Sequence, residues 1–166
     1  METQKEKREG LRAFLKRKDI VFSARRYGID AMSAMAQGLF ASLLIGSIMG
    51  TLGTQLGIGI LETAGAYAQE ATGFAMAVAI GYALKCPPLV LFSLAAVGGA
   101  ANTLGGAGGP LAVLIVSVVA GECGKAVSKE TKVDIIVTPF VTIFVGVVVA
   151  VLTAPAVGAA ASWVGS

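Results

Sequence analysis

Few side chains in this sequence could bind or react, and they are set against long apolar runs. Asn102 and Thr103 fall inside a glycine-rich break from Gly98 to Pro110, just ahead of Gly105, Gly106, Gly108 and Gly109. An asparagine carboxamide both donates and accepts, as a sugar hydroxyl or a carboxylate on a solute requires. Each glycine costs a helix about 1 kcal/mol relative to alanine, so the run reads as non-helical. Backbone of that kind survives at membrane depth only where protein buries it or water lines it. Two readings stay open. One is a tight turn between two helices at the bilayer surface. The other is a re-entrant hairpin whose tip reaches a substrate path, with N–H groups after Pro110 free for an anion.

A second set of candidates lies in the polar stretch Glu122 to Asp134, where Glu122, Lys125, Lys129, Glu130, Lys132 and Asp134 cancel in charge. It reads either as a solvated loop with helix-end charges or as a charged mouth to a membrane path. No histidine is present, which removes histidine-dependent zinc ligation, Ser–His or Cys–His nucleophilic catalysis and phosphohistidine chemistry from this chain. The cysteines, Cys86 and Cys123, read as buried inert thiols. The sequence calls for no metal and no cofactor.

The elements that must position these residues are membrane helices. The chain is 55% hydrophobic and only 14% charged over 166 residues, with a mean hydropathy of +0.80. A soluble domain of this size needs more charge to cover its surface. Beyond Asp30 the only basic residues are Lys85, Lys125, Lys129 and Lys132, so the net charge of +3 belongs to the N-terminal segment. Phosphate tracking needs a basic surface the rest of the chain lacks, which argues against nucleic acid as a partner.

The expected organisation is a basic cytoplasmic segment, residues 1–30, and a transmembrane helical domain, residues 31–166. Residues 1–10 read as disordered. From Leu11 to Tyr27 the residues Leu11, Phe14, Leu15, Val21 and Phe22 suit one helical face, with Arg12, Lys16, Arg17, Arg25 and Arg26 around the rest. That suits a helix lying on the cytoplasmic surface; a short helix without lipid contact is the other reading. The charged region is too long for a signal peptide, and no small-residue cleavage site follows the first apolar run.

Ala31 to Leu61 carries no charge, and within it Gly38, Ser42, Gly46, Gly50 and Thr54 recur every four residues, a spacing that lets another helix approach closely. Thr51 to Gly59 should end this span. Glu62 and Glu70 bracket an amphipathic piece before Ala71–Leu84, which is short for a span. Lys85 marks a membrane boundary, and Pro87-Pro88 opens the next helix. Cys86 to Gly121 has room for two short spans. Ile135 to Ser166 is broken by Pro139 and Pro155, with Pro155 and Gly158 ending the span and Trp163 at an interface. The fold class is therefore all-α, a polytopic helical membrane protein of about four to five membrane segments with a glycine-rich re-entrant or broken-helix hairpin.

Three blocks, Ala34–Gly46, Asn102–Leu111 and Lys129–Pro139, together resemble successive signatures of one family. It is the membrane (IIC) component family of the bacterial sugar phosphotransferase system, which includes perfringolysin O regulator-type proteins. The resemblance runs from about Tyr27 to Pro155. It implies a multi-pass protein of the bacterial cytoplasmic membrane that carries a small, sugar-like solute, with cytoplasmic phosphotransferase components as partners. Members are roughly twice this length, so the chain resembles the N-terminal half, with another copy or an absent half completing the path. A homo-oligomer would be one way to supply it.

On the transporter reading, solute contact falls to Asn102, Thr103, the backbone of Gly105, Gly106, Gly108 and Gly109, and Thr138. Glu122, Lys132 and Asp134 would gate or couple at the cytoplasmic mouth, and Gly38, Ser42, Gly46 and Gly50 would pack helices. The lipid bilayer is the surrounding partner, and the N-terminus is cytoplasmic by the excess of basic residues beside the first span. A membrane-bound regulator or sensor without transport activity is the alternative, prompted by the basic N-terminal helix; an assembly module built on the Gly38 seam is a third.

Overall fold

The computed structural model describes residues 2–20 and 22–165; Met1, Val21 and Ser166 lie outside the described residues. Every regular element among the described residues is a helix: α1 Glu2–Arg17, α2 Arg26–Leu56, α3 Gly59–Glu70, α4 Thr72–Ala83, α5 Pro88–Gly105, α6 Gly109–Val127 and α7 Asp134–Gly165. Three helical stretches are long and apolar enough to cross a membrane, namely α2, Pro88–Val127 and α7, with α4 a shorter apolar helix. This is an all-α, multi-pass membrane protein.

Local chemistry sets the ends. α2 stops where Gly57 adopts φ 68° and its N–H returns to the Gly53 carbonyl, a left-handed cap that glycine adopts without strain. Pro88 takes the first turn of α5, where a missing N–H costs nothing. Two turns of α2, Arg26–Asp30 and Phe40–Leu44, are π-helical.

Several expectations are corrected. Residues 2–10 are helical, not disordered, because Glu, Gln, Lys and Arg are good helix formers, and Glu2/Lys5, Lys5/Glu9 and Glu9/Arg12 alternate in sign at helical spacing. The helix expected over Leu11–Tyr27 ends at Arg17, and the chain turns before α2 begins. The glycine-rich run stays α-helical through Gly105, and only Gly106–Gly108 leaves the α conformation, as one 3₁₀ turn. Glu122–Val127 belongs to α6, so the polar loop shrinks to Ser128–Val133. α7 runs unbroken through Pro139 and Pro155. A backbone without water must bond to itself, so apolar surroundings hold glycine and proline in helices that water would fray.

Close backbone contact holds the bundle together. A Cβ on Gly73 would meet the Gly98 carbonyl at 2.6 Å, joining α4 to α5. A Cβ on Gly146 would meet Val97 at 2.5 Å, joining α7 to α5. Val90, Leu94 and Val97 of α5, Met76 and Ile80 of α4, and Val113 and Val116 of α6 are fully buried between them. In lipid such contacts act through dispersion and shape fit rather than through release of water. The distal half of α2 pairs chiefly with α3, and its apolar residues Ile48, Leu52 and Leu56 are exposed.

Candidate functional site

The break that matters most for a site lies between α3 and α4. At Ala71 ψ opens to 0°, and Thr72 Oγ1 donates to the Gln69 carbonyl at 2.6 Å. Gln69 and Glu70 sit at this break. The Gly73–Gly98 contact brings α4 against α5, which places Glu70 beside Asn102 and Thr103. The three polar side chains share a groove of about 510 Å³ with Phe74. Gly99 leaves room for that ring, since a Cβ there would meet Phe74 Cε1 at 2.7 Å.

Asn102 is half-buried, its Oδ1 lying against Gly109 at the start of α6. None of Glu70, Asn102 and Thr103 spends its side chain on a hydrogen bond or ion pair with another described residue. Polar groups left unpaired beside apolar surface cost free energy unless water or a ligand satisfies them. A second groove of about 490 Å³ lies between Ser47, Thr51, Thr54 and Gln55 of α2 and Gln69 of α3.

Of the glycines singled out, Gly105, Gly108 and Gly109 are buried, while Gly106 forms the exposed turn with φ 51°. A Cβ on Gly108 would meet the Val157 carbonyl at 2.8 Å. α7 continues from Val157 to Gly165, roughly 12 Å of further helix. Thr138 does not join Asn102. It is fully buried at the start of α7 and donates to Asp134.

Glu122, Lys132 and Asp134 are not one cluster. Glu122 pairs with Lys125 at 3.2 Å, Asp134 accepts the Lys129 backbone N–H at 2.7 Å, and Lys132 is exposed. On α2, Gly38 lies against Ala75 and Met76 and Gly46 against Gly65 and Gln69, with Ser42 buried between them. Gly50 has only the end of Gln69 nearby, and Gly53, against Glu62, extends the contact line in its place.

The end of the bundle opposite Asn102 gathers the charges. Lys125, 1% exposed, donates to the carbonyls of Asp19 at 2.6 Å and Leu84 at 2.8 Å. Arg26 bonds Asp19 at 2.9 Å and the Leu84 carbonyl at 2.7 Å. The Arg26 hydrogen bond holds the Asp19 carboxyl below its usual range. Lys18 does the same to Glu130 at 2.5 Å. Burial pushes the Cys86 thiol up to about 12. Tyr27 Oη, Ser117 Oγ and Glu122 Oε2 are buried without a hydrogen-bond partner among the described residues.

Sequence reasoning singled out Asn102 and Thr103 but not Glu70, Gln69, Thr51 or Gln55, which line the two grooves. A signal was present. Glu62 and Glu70 are the only charges between Ala31 and Leu84, and an ionisable residue in such a setting marks function by default. Ser47, Thr51 and Gln55 likewise recur every four residues along one helical face.

No curated protein and no solved structure matches the chain. Residues 29–166 match the family described as phosphotransferase system, EIIC, a span that takes in every helix after α1 except the first residues of α2. With three helical stretches long and apolar enough to cross a membrane and a family match over most of its length, the chain belongs to the phosphotransferase system EIIC family.

Proposed function

We propose that the chain forms part of a transport path for a small, sugar-like solute, and that Glu70, Asn102 and Thr103 contact that solute. The observation that carries this reading is the groove in which all three stand unpartnered beside Phe74. A carboxylate accepts from hydroxyls, a carboxamide both donates and accepts, and a threonine hydroxyl does either. A ring beside them gives apolar cover, the usual composition of a small-molecule site. A polyol with one face of C–H groups fits this set better than a fully apolar or cationic solute does.

The break at Ala71 and the turn at Gly106–Gly108 suit a path of this kind, because transporter sites are built where membrane helices are interrupted. The basic end, with Arg17, Lys18, Arg26, Lys85 and Lys125, is cytoplasmic by the bias of such residues. The solute groove then opens toward the other side of the membrane.

A thermal-stability screen of the purified protein against monosaccharides and polyols tests the reading. At a hundred times its dissociation constant, a true ligand adds about 2.7 kcal/mol to the folded state. A sugar that stabilises the wild-type chain but not Asn102→Ala supports the assignment. Equal stabilisation of both proteins removes Asn102 from the site.

A further inference from the structure

Three described residues other than glycine hold a left-handed backbone: Asp19 at φ 55°, Lys85 at φ 58° and Lys129 at φ 61°. They sit in three separate connections, α1–α2, α4–α5 and α6–α7. All three line one cleft of about 500 Å³ at the basic end of the bundle. Glycine, asparagine and aspartate take this conformation most readily, and lysine has no such preference. Two connections therefore carry a lysine where a neutral turn residue would form the same turn more easily.

The charges around the cleft do not balance. Lys125 is spent on Glu122 and on two carbonyls. Lys18 is held by Glu130 at 2.5 Å and by the Ser128 carbonyl. Arg17 shares Glu130 at 3.1 Å, and Asp19 belongs to Arg26 at 2.9 Å. Lys85 and Lys129 are both exposed, and neither makes an ion pair with another described residue. Asp134 accepts from the Lys129 backbone N–H at 2.7 Å. A concave surface with an excess of one sign of charge concentrates the opposite sign within it.

We propose that this cleft is an oxyanion site that takes a phosphate group, with Lys85 and Lys129 as its direct charges and Arg17 at its rim. Two mobile ammonium groups and a guanidinium suit a multiply charged, many-oxygen group. The volume leaves room for a small organic body carrying the phosphate. A phospholipid headgroup and a water-soluble phosphate monoester present the same chemistry. The site is separate from the solute groove, since Asn102 lies about 20 Å along α5 from Pro88.

The test uses the full chain in nanodiscs and the double variant Lys85→Asn/Lys129→Asn, in which asparagine keeps the left-handed backbone while removing both charges. Circular dichroism checks that the variant is folded. In discs of phosphatidylcholine alone, inorganic phosphate and glycerol 3-phosphate are titrated by calorimetry; in a second set, phosphatidylglycerol is added and the melting temperature read. A soluble monoester as the ligand gives saturable binding that weakens at least tenfold in the double variant. A lipid headgroup as the ligand gives no soluble binding, but a rise in melting temperature with phosphatidylglycerol that the variant lacks. No response in either set, or equal responses from wild type and variant, overturns the proposal. The double variant should keep any sugar stabilisation that the wild-type chain shows, so failure here and failure of the solute groove are distinguishable.

Discussion

The ammonium of Lys125 donates to the carbonyl of Leu84 across 2.8 Å, tying the last turn of α6 to the end of α4. The same nitrogen reaches the Asp19 carbonyl at 2.6 Å and Glu122 at 3.2 Å. One buried charge thus fixes three segments that are distant in sequence, and its removal strands a largely buried carboxylate, 11% exposed. Breaking a buried pair from one side costs about 3–5 kcal/mol.

Lys125→Met should accordingly lower the melting temperature on the order of 10 °C. Adding Glu122→Gln should restore part of the loss, because the stranded charge is then gone. A drop no larger than that of the exposed Lys132→Met would show that the bridge does not hold the bundle.

Gly98 should tolerate no side chain. A Cβ there would meet the Gly73 carbonyl and the Ala77 methyl, so Gly98→Val must push α4 away from α5. An overpacked core costs about 1–3 kcal/mol, and the loss here should fall at or above the upper end. Gly10→Ala, with nothing within 4 Å on α1, should instead be neutral or stabilising by up to about 1 kcal/mol. Thermal melts of the two variants in one detergent make the comparison.

Cys86 should label slowly. Its thiol is pushed up to about 12 by burial, so the neutral form persists well above the pH at which an unperturbed thiol, near about 8.5, ionises. In a Cys123→Ser background, maleimide labelling at pH 8 should run on the order of 10³-fold slower than a free thiol. The rate should keep rising past pH 10. A plateau near pH 9 would contradict the burial.

Orientation follows from the basic end. In a chain lacking both native cysteines, Lys16→Cys and Lys129→Cys should react only from the cytoplasmic side, and Ala160→Cys only from the other. Labelling of all three from one side would contradict the arrangement of α1, α6 and α7 across the bilayer.

Much of this architecture is legible in the sequence because some residues act locally. Pro88 opens α5 and Gly57 closes α2 through their own backbone preferences. The Gly98–Gly105 segment misleads because glycine's helix penalty is measured in water, where a frayed backbone can be solvated. In an apolar setting the backbone must bond to itself, and small residues then gain close contacts such as Gly73–Gly98. Pro139 and Pro155 each remove one helix bond, yet without water the rest of the helix has no alternative partner to fray to, and α7 runs on through both. Glu70 could not be joined to Asn102 by spacing, since only the packing of α4 on α5 brings them together. The left-handed backbone at Lys85 and Lys129 has no sequence signal at all, because lysine does not announce a turn.

Solute binding bears most directly on the groove. Calorimetric titration of a sugar or polyol that stabilises the wild-type chain should show at least tenfold weaker binding to both Asn102→Ala and Glu70→Gln, with Lys132→Met unchanged. Wild-type affinity in both groove variants, or no binding of any sugar or polyol to the wild-type chain, would contradict it.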